Sequence, residues 1–138
     1  MGNTNLYCTL TFRSDTEKFN LNDFESKIQL YKKKSWIIGD LQHPDYEESA
    51  RVDSSAVIKS NTSYNYDGTE VISDFFEYLK FKKEDIIELK KIYKAILHFD
   101  VIVNLESNDS PVVSLNDDQL LFLTEIGASL NYSVYDYK

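Results

Sequence analysis

An α+β fold, a single-domain mixed β-sheet with three or four helices packed mainly on one face, is what this sequence predicts. Leu6, Cys8, Leu10 and Phe12 alternate with Tyr7, Thr9 and Thr11, the period-two signature of a strand with one buried face. Phe99, Val101, Val103 and Leu105 repeat it against His98, Asp100, Ile102 and Asn104. Between these strands, apolar residues recur at helical spacing, as in Val71, Ile72, Phe75, Phe76 and Leu79. A length of 138 residues fits one domain, residues 1–138, because a second would be too short to bury its own core.

In chain order, the first alternation predicts a strand over 5–13. Asn20 then stands as an N-cap before Leu21, Phe24 and Ile28, predicting a short helix over 21–30 with Asp23 in its first turn. After Lys32-Lys33-Lys34, the run Ser35 to Ile38 reads as a short extended piece closed by Gly39-Asp40, with Trp36 in the core. Ala50 to Lys59 supplies one more strand, and Asn61 to Gly68 a loop. Two helices follow. One covers 69–80, and the other covers 83–96, with Ile86, Ile87, Leu89, Ile92, Tyr93 and Ile96 on its apolar face and lysines near its C-terminus. A strand over 97–106 leads through a turn cluster to Ser114-Leu-Asn-Asp117, which fits a capping box for a helix over 115–126 ended by Gly127. Leu130, Tyr132 and Val134 alternate in a closing strand, giving the order βαββααβαβ. Tyr7, Thr9, Thr11, Asn104 and Ser133 suit a second sheet face that is partly wet.

Composition narrows the chemistry. One cysteine excludes a disulfide scaffold and a thiolate zinc site, and Cys8 within a strand reads as a small buried hydrophobe. No Gly-rich phosphate loop, G-x-S-x-G elbow or H-E-x-x-H helix occurs, so no catalytic constellation is expected. The paired acids Glu84-Asp85 and Asp117-Asp118 fall in first turns of helices, where carboxylates complement the dipole. His43 with Asp40 and Asp45 is the one local cluster that offers oxygen ligands and an imidazole, without a Ca²⁺-type spacing.

The net charge of −8 is unevenly placed. Residues 1–94 carry 16 acids and 14 bases, net −2, whereas residues 95–138 carry seven acids and one base, net −6. An acidic field of that kind repels nucleic acid and steers basic partners. No segment approaches the roughly 18 apolar residues of a membrane span, and Met1 to Leu10 lacks the pattern of a secretory signal, so the expected location is the cytoplasm. Ten tyrosines, several of them in the final strand and in loops, are suited to anchoring an interface.

Ser35-Trp-Ile-Ile-Gly-Asp40, the two helices, the strand from His98 to Leu105, Pro111 to Leu115, Leu120 to Leu130 and Val134-Tyr135 together resemble an uncharacterised bacterial family, domain of unknown function 4279. The resemblance spans almost the whole chain. It departs at 50–60, where members commonly show a second tryptophan and this chain has Ser54-Ser-Ala-Val-Ile58. The resemblance implies a small intracellular bacterial protein with no catalytic residues to carry over, and related small acidic proteins look like immunity partners of secreted polymorphic toxins.

The expected function is therefore a non-enzymatic protein-binding module, an immunity-type inhibitor of a cognate, basic, nuclease-like toxin domain. Its expected contacts are Asp40, Asp45, Glu47, Glu48, Asp109, Asp117, Asp118 and Tyr135. No cofactor, nucleic acid or membrane is expected, and the chain is expected to be a monomer or weak homodimer. Two alternatives stand beside this reading: a metal-binding or hydrolytic enzyme using His43, Asp40 and Asp45, and a regulatory protein that self-associates through an edge strand.

Overall fold

The four strands form one sheet in the order β2-β1-β3-β4 in a computed structural model that describes residues 4–43, 45–46, 49–64, 67–107 and 113–137. Strand β1 (Asn5–Ser14) lies inside the sheet, antiparallel to β2 (Ser54–Lys59) on one side and to β3 (Ile96–Leu105) on the other. Strand β4 (Ala128–Asp136) runs parallel to β3 at the far edge. The parallel pairing requires a crossover, and helix α4 (Asp117–Ile126) provides it.

Burial of the inner face explains the register. Leu6, Cys8, Leu10 and Phe12 have no exposed surface, and in register with them lie Leu97, Phe99, Val101 and Val103 of β3 and Ala56 and Ile58 of β2. A one-residue slip of β1 would turn Tyr7, Thr9 and Thr11 into this core and its apolar residues out. Helices cover this face: α2 (Thr69–Phe81) buries Ile72, Phe75, Phe76 and Leu79, α3 (Lys83–Ile92) buries Ile86 and Leu89, and α4 buries Phe122, Leu123 and Ile126. The short helix α1 (Leu21–Glu25) adds Phe24, whose ring stands edge-on to Phe12 at 5.3 Å and close to Phe19 and Tyr93, both at 4.9 Å.

Several boundaries differ from the sequence reading, each for a local reason. Helix α1 spans five residues, not ten, and the Ser26 hydroxyl donates to the Asp23 carbonyl just past its end. The piece from Ser35 to Ile38 is not a strand. It follows a 3₁₀ turn (Lys32–Lys34) and touches β2 through a single bridge, Trp36 to Ser55. Strand β2 starts at Ser54, because the preceding residues close a loop through the bridge between Leu41 and Ala50. Helix α3 stops at Ile92, since Lys94 takes a positive φ of 50° and Ile96 joins β3 opposite Arg13, leaving Ile92 and Ile96 exposed. The cap of α4 is Asn116, two residues past Ser114. Its side chain accepts from the Gln119 amide at 2.9 Å, and the Gln119 side chain accepts from the Asn116 amide at 3.0 Å. Gly127 ends α4 in the left-handed region as the sequence predicts, and the Lys90 ammonium donates to the Ile126 carbonyl at 2.9 Å.

Cys8 is fully buried, and burial pushes its thiol up to about 12. The thiolate is the reactive form. A thiol-reactive disulfide reagent at neutral pH is therefore expected to leave the folded chain unlabelled and to label it stoichiometrically in denaturant. Rapid labelling of the folded protein would show that the strand opens around Cys8.

Candidate functional site

With helices on one face, the alternation of the strands turns a second set of side chains to the other. Tyr7, Thr9, Thr11 and Arg13 of β1 stand beside Ser55, Val57 and Lys59 of β2 and beside His98, Asp100, Ile102 and Asn104 of β3. Ser129, Asn131, Ser133 and Tyr135 extend the row on β4. Tyr7, Thr11, Asn104 and Ser133 are half-buried and Thr9 is buried, the partly wet face that the sequence predicts.

The segment from Tyr31 to Trp36 folds along the outer edge of β2 and walls one side of this face. The Tyr31 amide donates to the Val57 carbonyl at 2.6 Å, Trp36 and Ser55 exchange backbone hydrogen bonds at 2.8 and 2.9 Å, and the Val57 amide donates to the Ser35 hydroxyl at 3.0 Å. Between wall and sheet lies a pocket of about 270 Å³ lined by Tyr7, Tyr31, Lys34, Trp36, Val57 and Ile102 among others. Trp36, expected in the core, is half-buried at the rim of this pocket. Its indole N–H donates to Asp53 Oδ1 at 3.0 Å, and the Arg51 guanidinium lies 3.7 Å from its ring centroid. Asp53 also accepts from Arg13 Nε at 3.0 Å. Lys59 sits 4.5 Å from the Tyr7 ring, and burial lowers the pKa of its ammonium. Burial first, then the nearby phenols of Tyr31, Tyr135 and Tyr137, raise the Tyr7 hydroxyl.

Further along the same face, His98 Nδ1 lies 2.7 Å from the Ser129 hydroxyl. The neighbouring Asp100 carboxyl is raised by burial, against the opposing pull of His98 and of a hydrogen bond with Asn131. A carboxyl raised on folding binds its proton more tightly in the native state, so stability falls as pH rises from the ordinary carboxylate range through the raised value. Asp100→Asn is expected to be more stable than the parent at pH 7, with the difference vanishing below the ordinary carboxylate pKa. Urea unfolding at both pH values checks it, and a variant less stable at pH 7 would show that the attraction to His98 outweighs burial.

The expected contact residues divide into separate groups. The Asp40 carboxylate accepts from the Ile37 amide at 3.0 Å and its carbonyl accepts from the Arg51 amide at 2.7 Å, so Asp40 holds its own turn. Asp45 is exposed in the same loop, which leads into β2 at the end of the sheet where β3 begins. Asp117 and Asp118 are exposed in the first turn of α4, and Tyr135, half exposed, is stacked with Tyr137 at 6.5 Å. Those three belong to the opposite edge and the end where β3 stops, so the fold does not bring the two sets together. Glu47, Glu48 and Asp109 lie outside the described residues. His43 is exposed with its ring edge-on to Tyr46 at 6.4 Å, and among the described residues no three of His, Cys, Asp or Glu converge as metal ligands. Nor is any helix among them long and apolar enough to cross a membrane.

These features define an α+β protein built on one four-stranded mixed sheet with helices on one face and a pocket lined by Tyr7, Tyr31 and Trp36 on the other. Residues 4–137 match the family described as Domain of unknown function (DUF4279), and the chain belongs to it. No curated protein and no solved structure matches the chain.

Proposed function

We propose that this chain is a non-enzymatic protein-binding module, an immunity-type inhibitor that neutralises a cognate basic toxin domain in the bacterial cytoplasm. The observation that carries the reading is the β4 edge. Strand β4 ends the sheet, and among the described residues no further strand pairs with its outer side. Tyr132, Val134, Tyr135 and Tyr137 are each at least half exposed there. From Val113 to Tyr137 the chain holds Asp117, Asp118, Glu125 and Asp136 and no Lys or Arg. An open edge offers main-chain hydrogen bonds to an incoming strand, tyrosines supply contact area at low entropic cost, and the acids steer a basic partner.

A calorimetric titration against the C-terminal toxin domain encoded by the adjacent upstream gene, at low and moderate salt, tests this. One-to-one nanomolar binding weakened by salt is expected, and Asp117→Lys with Asp118→Lys should weaken it at least about tenfold, mainly through the association rate. Absence of heat at either salt, with both proteins folded, overturns the pairing. A second reading, antiparallel pairing of β4 with another copy, draws on the lack of Lys, Arg or Pro within that strand. Sedimentation showing only monomer at high concentration would remove it.

A further inference from the structure

We propose that the pocket between the Tyr31–Trp36 wall and the sheet is a small-molecule site for a flat aromatic ring bearing one anionic group. It lies by the opposite edge of the sheet from β4 and does not depend on the protein-binding reading.

The ring is specified by the walls. Tyr7, Tyr31 and Trp36 line it with aromatic surface, and Val57 and Ile102 add aliphatic surface. A planar ring stacks on such groups and a branched aliphatic does not gain the same contact. The anion is specified by charge. Arg13 is held by Asp15 at 3.2 Å and by Asp53 at 3.0 Å, so its guanidinium is already neutralised. Lys34 also lines the pocket, and among the described residues no carboxylate lies within ion-pair distance of it. Asp53, the carboxylate in the lining, is engaged by Arg13 and by the Trp36 indole N–H, which leaves Lys34 as the lining cation with no acid beside it. On a chain of net charge −8, the recess thus sets one unpaired ammonium, Lys34, beside aromatic surface.

Size limits the ligand. A volume of about 270 Å³ falls just below the usual range for ligand pockets, which is about 300–1,000 Å³. That space takes up one ring system and its anionic group. The site is also preformed, because the hydrogen bonds that tie Tyr31, Ser35 and Trp36 to β2 fix the wall without a ligand.

Two sources share this chemistry, a nucleoside monophosphate and an aromatic carboxylate, and the experiment separates them. Trp36 is the only tryptophan, so its indole N–H gives one amide-type NMR signal that reports directly on the pocket. Adenosine 5′-monophosphate and benzoate are titrated as ring with anion, adenosine and benzamide as ring alone, and phosphate and acetate as anion alone. At least one ring-with-anion probe is expected to shift the indole signal saturably at about 10–1,000 µM, with its ring-alone and anion-alone counterparts at least about tenfold weaker. Lys34→Ala, at an exposed position, should weaken that probe about fivefold and leave the ring-alone probe unchanged. A mononucleotide response without benzoate assigns the first source, and the reverse assigns the second. No saturable shift with either up to about 10 mM, or equal weakening of the charged and uncharged probes by Lys34→Ala, overturns the proposal.

Discussion

Phe99→Ala is expected to cost about 3–5 kcal/mol. Phe99 has no exposed surface, and its ring lies 4.9 Å from Phe76 and 5.9 Å from Phe75, so it joins β3 to α2. In register it stands between Leu10 of β1 and Leu130 of β4. Truncation therefore leaves a void between sheet and helix that neither can close without breaking the ladder. For a domain whose total stability is about 5–15 kcal/mol, the variant is left marginal. Urea unfolding checks this through a large fall in midpoint at unchanged slope, and Phe99→Leu should keep most of the loss from appearing. A loss under about 1 kcal/mol for the alanine variant would mean that Phe99 does not occupy the centre of the core.

Ser54→Ala is expected to destabilise by about 2–4 kcal/mol despite removing a single oxygen, because that oxygen accepts from two separate loops. The Phe19 amide donates to Ser54 Oγ at 3.2 Å and the Ile38 amide donates to it at 3.1 Å, and Ser54 itself has no exposed surface. Removing the acceptor orphans both amides, the first of them buried. Hydrogen exchange gives the sharper reading: Phe19 and Ile38 should lose protection together while the β1 and β3 amides keep theirs. Retained protection at both would show that the loops are held from elsewhere.

Ser54 also shows why part of the fold was illegible in the sequence. Strands β1 and β3 and helices α2 and α4 announced themselves because each buries one face, and one-sided burial leaves a period in the residue order. The middle of the chain has no such period. Its loops are tied by serine side chains to backbone far away, as Ser35 binds Val57, Ser55 binds Lys34 and Ser60 binds Cys8. A hydroxyl that reaches across dozens of residues has no local partner to betray it. The same cause hid the pocket. The outer positions of β1 read correctly as partly wet, but only the fold brings Tyr31 and Trp36 over them, and a lone tryptophan in an apolar run reads as core. The acids of the C-terminal third were visible as charge, whereas their separation from Asp40 and Asp45 follows from strand order, which alternation does not encode.

The interior position of β1 has a consequence for how the chain is made. Strand β1 is paired on both sides by segments synthesised later, and Cys8 meets Val101 only after about 90 further residues. At roughly 5–20 residues per second that interval is about 5–18 s. For the first part of it β1 has no partner, and once Ser54–Lys59 is made only one of its edges can pair, so Leu6, Leu10 and Phe12 stay without their β3 neighbours until Leu97 to Val103 emerge, and β4 joins last of the four strands.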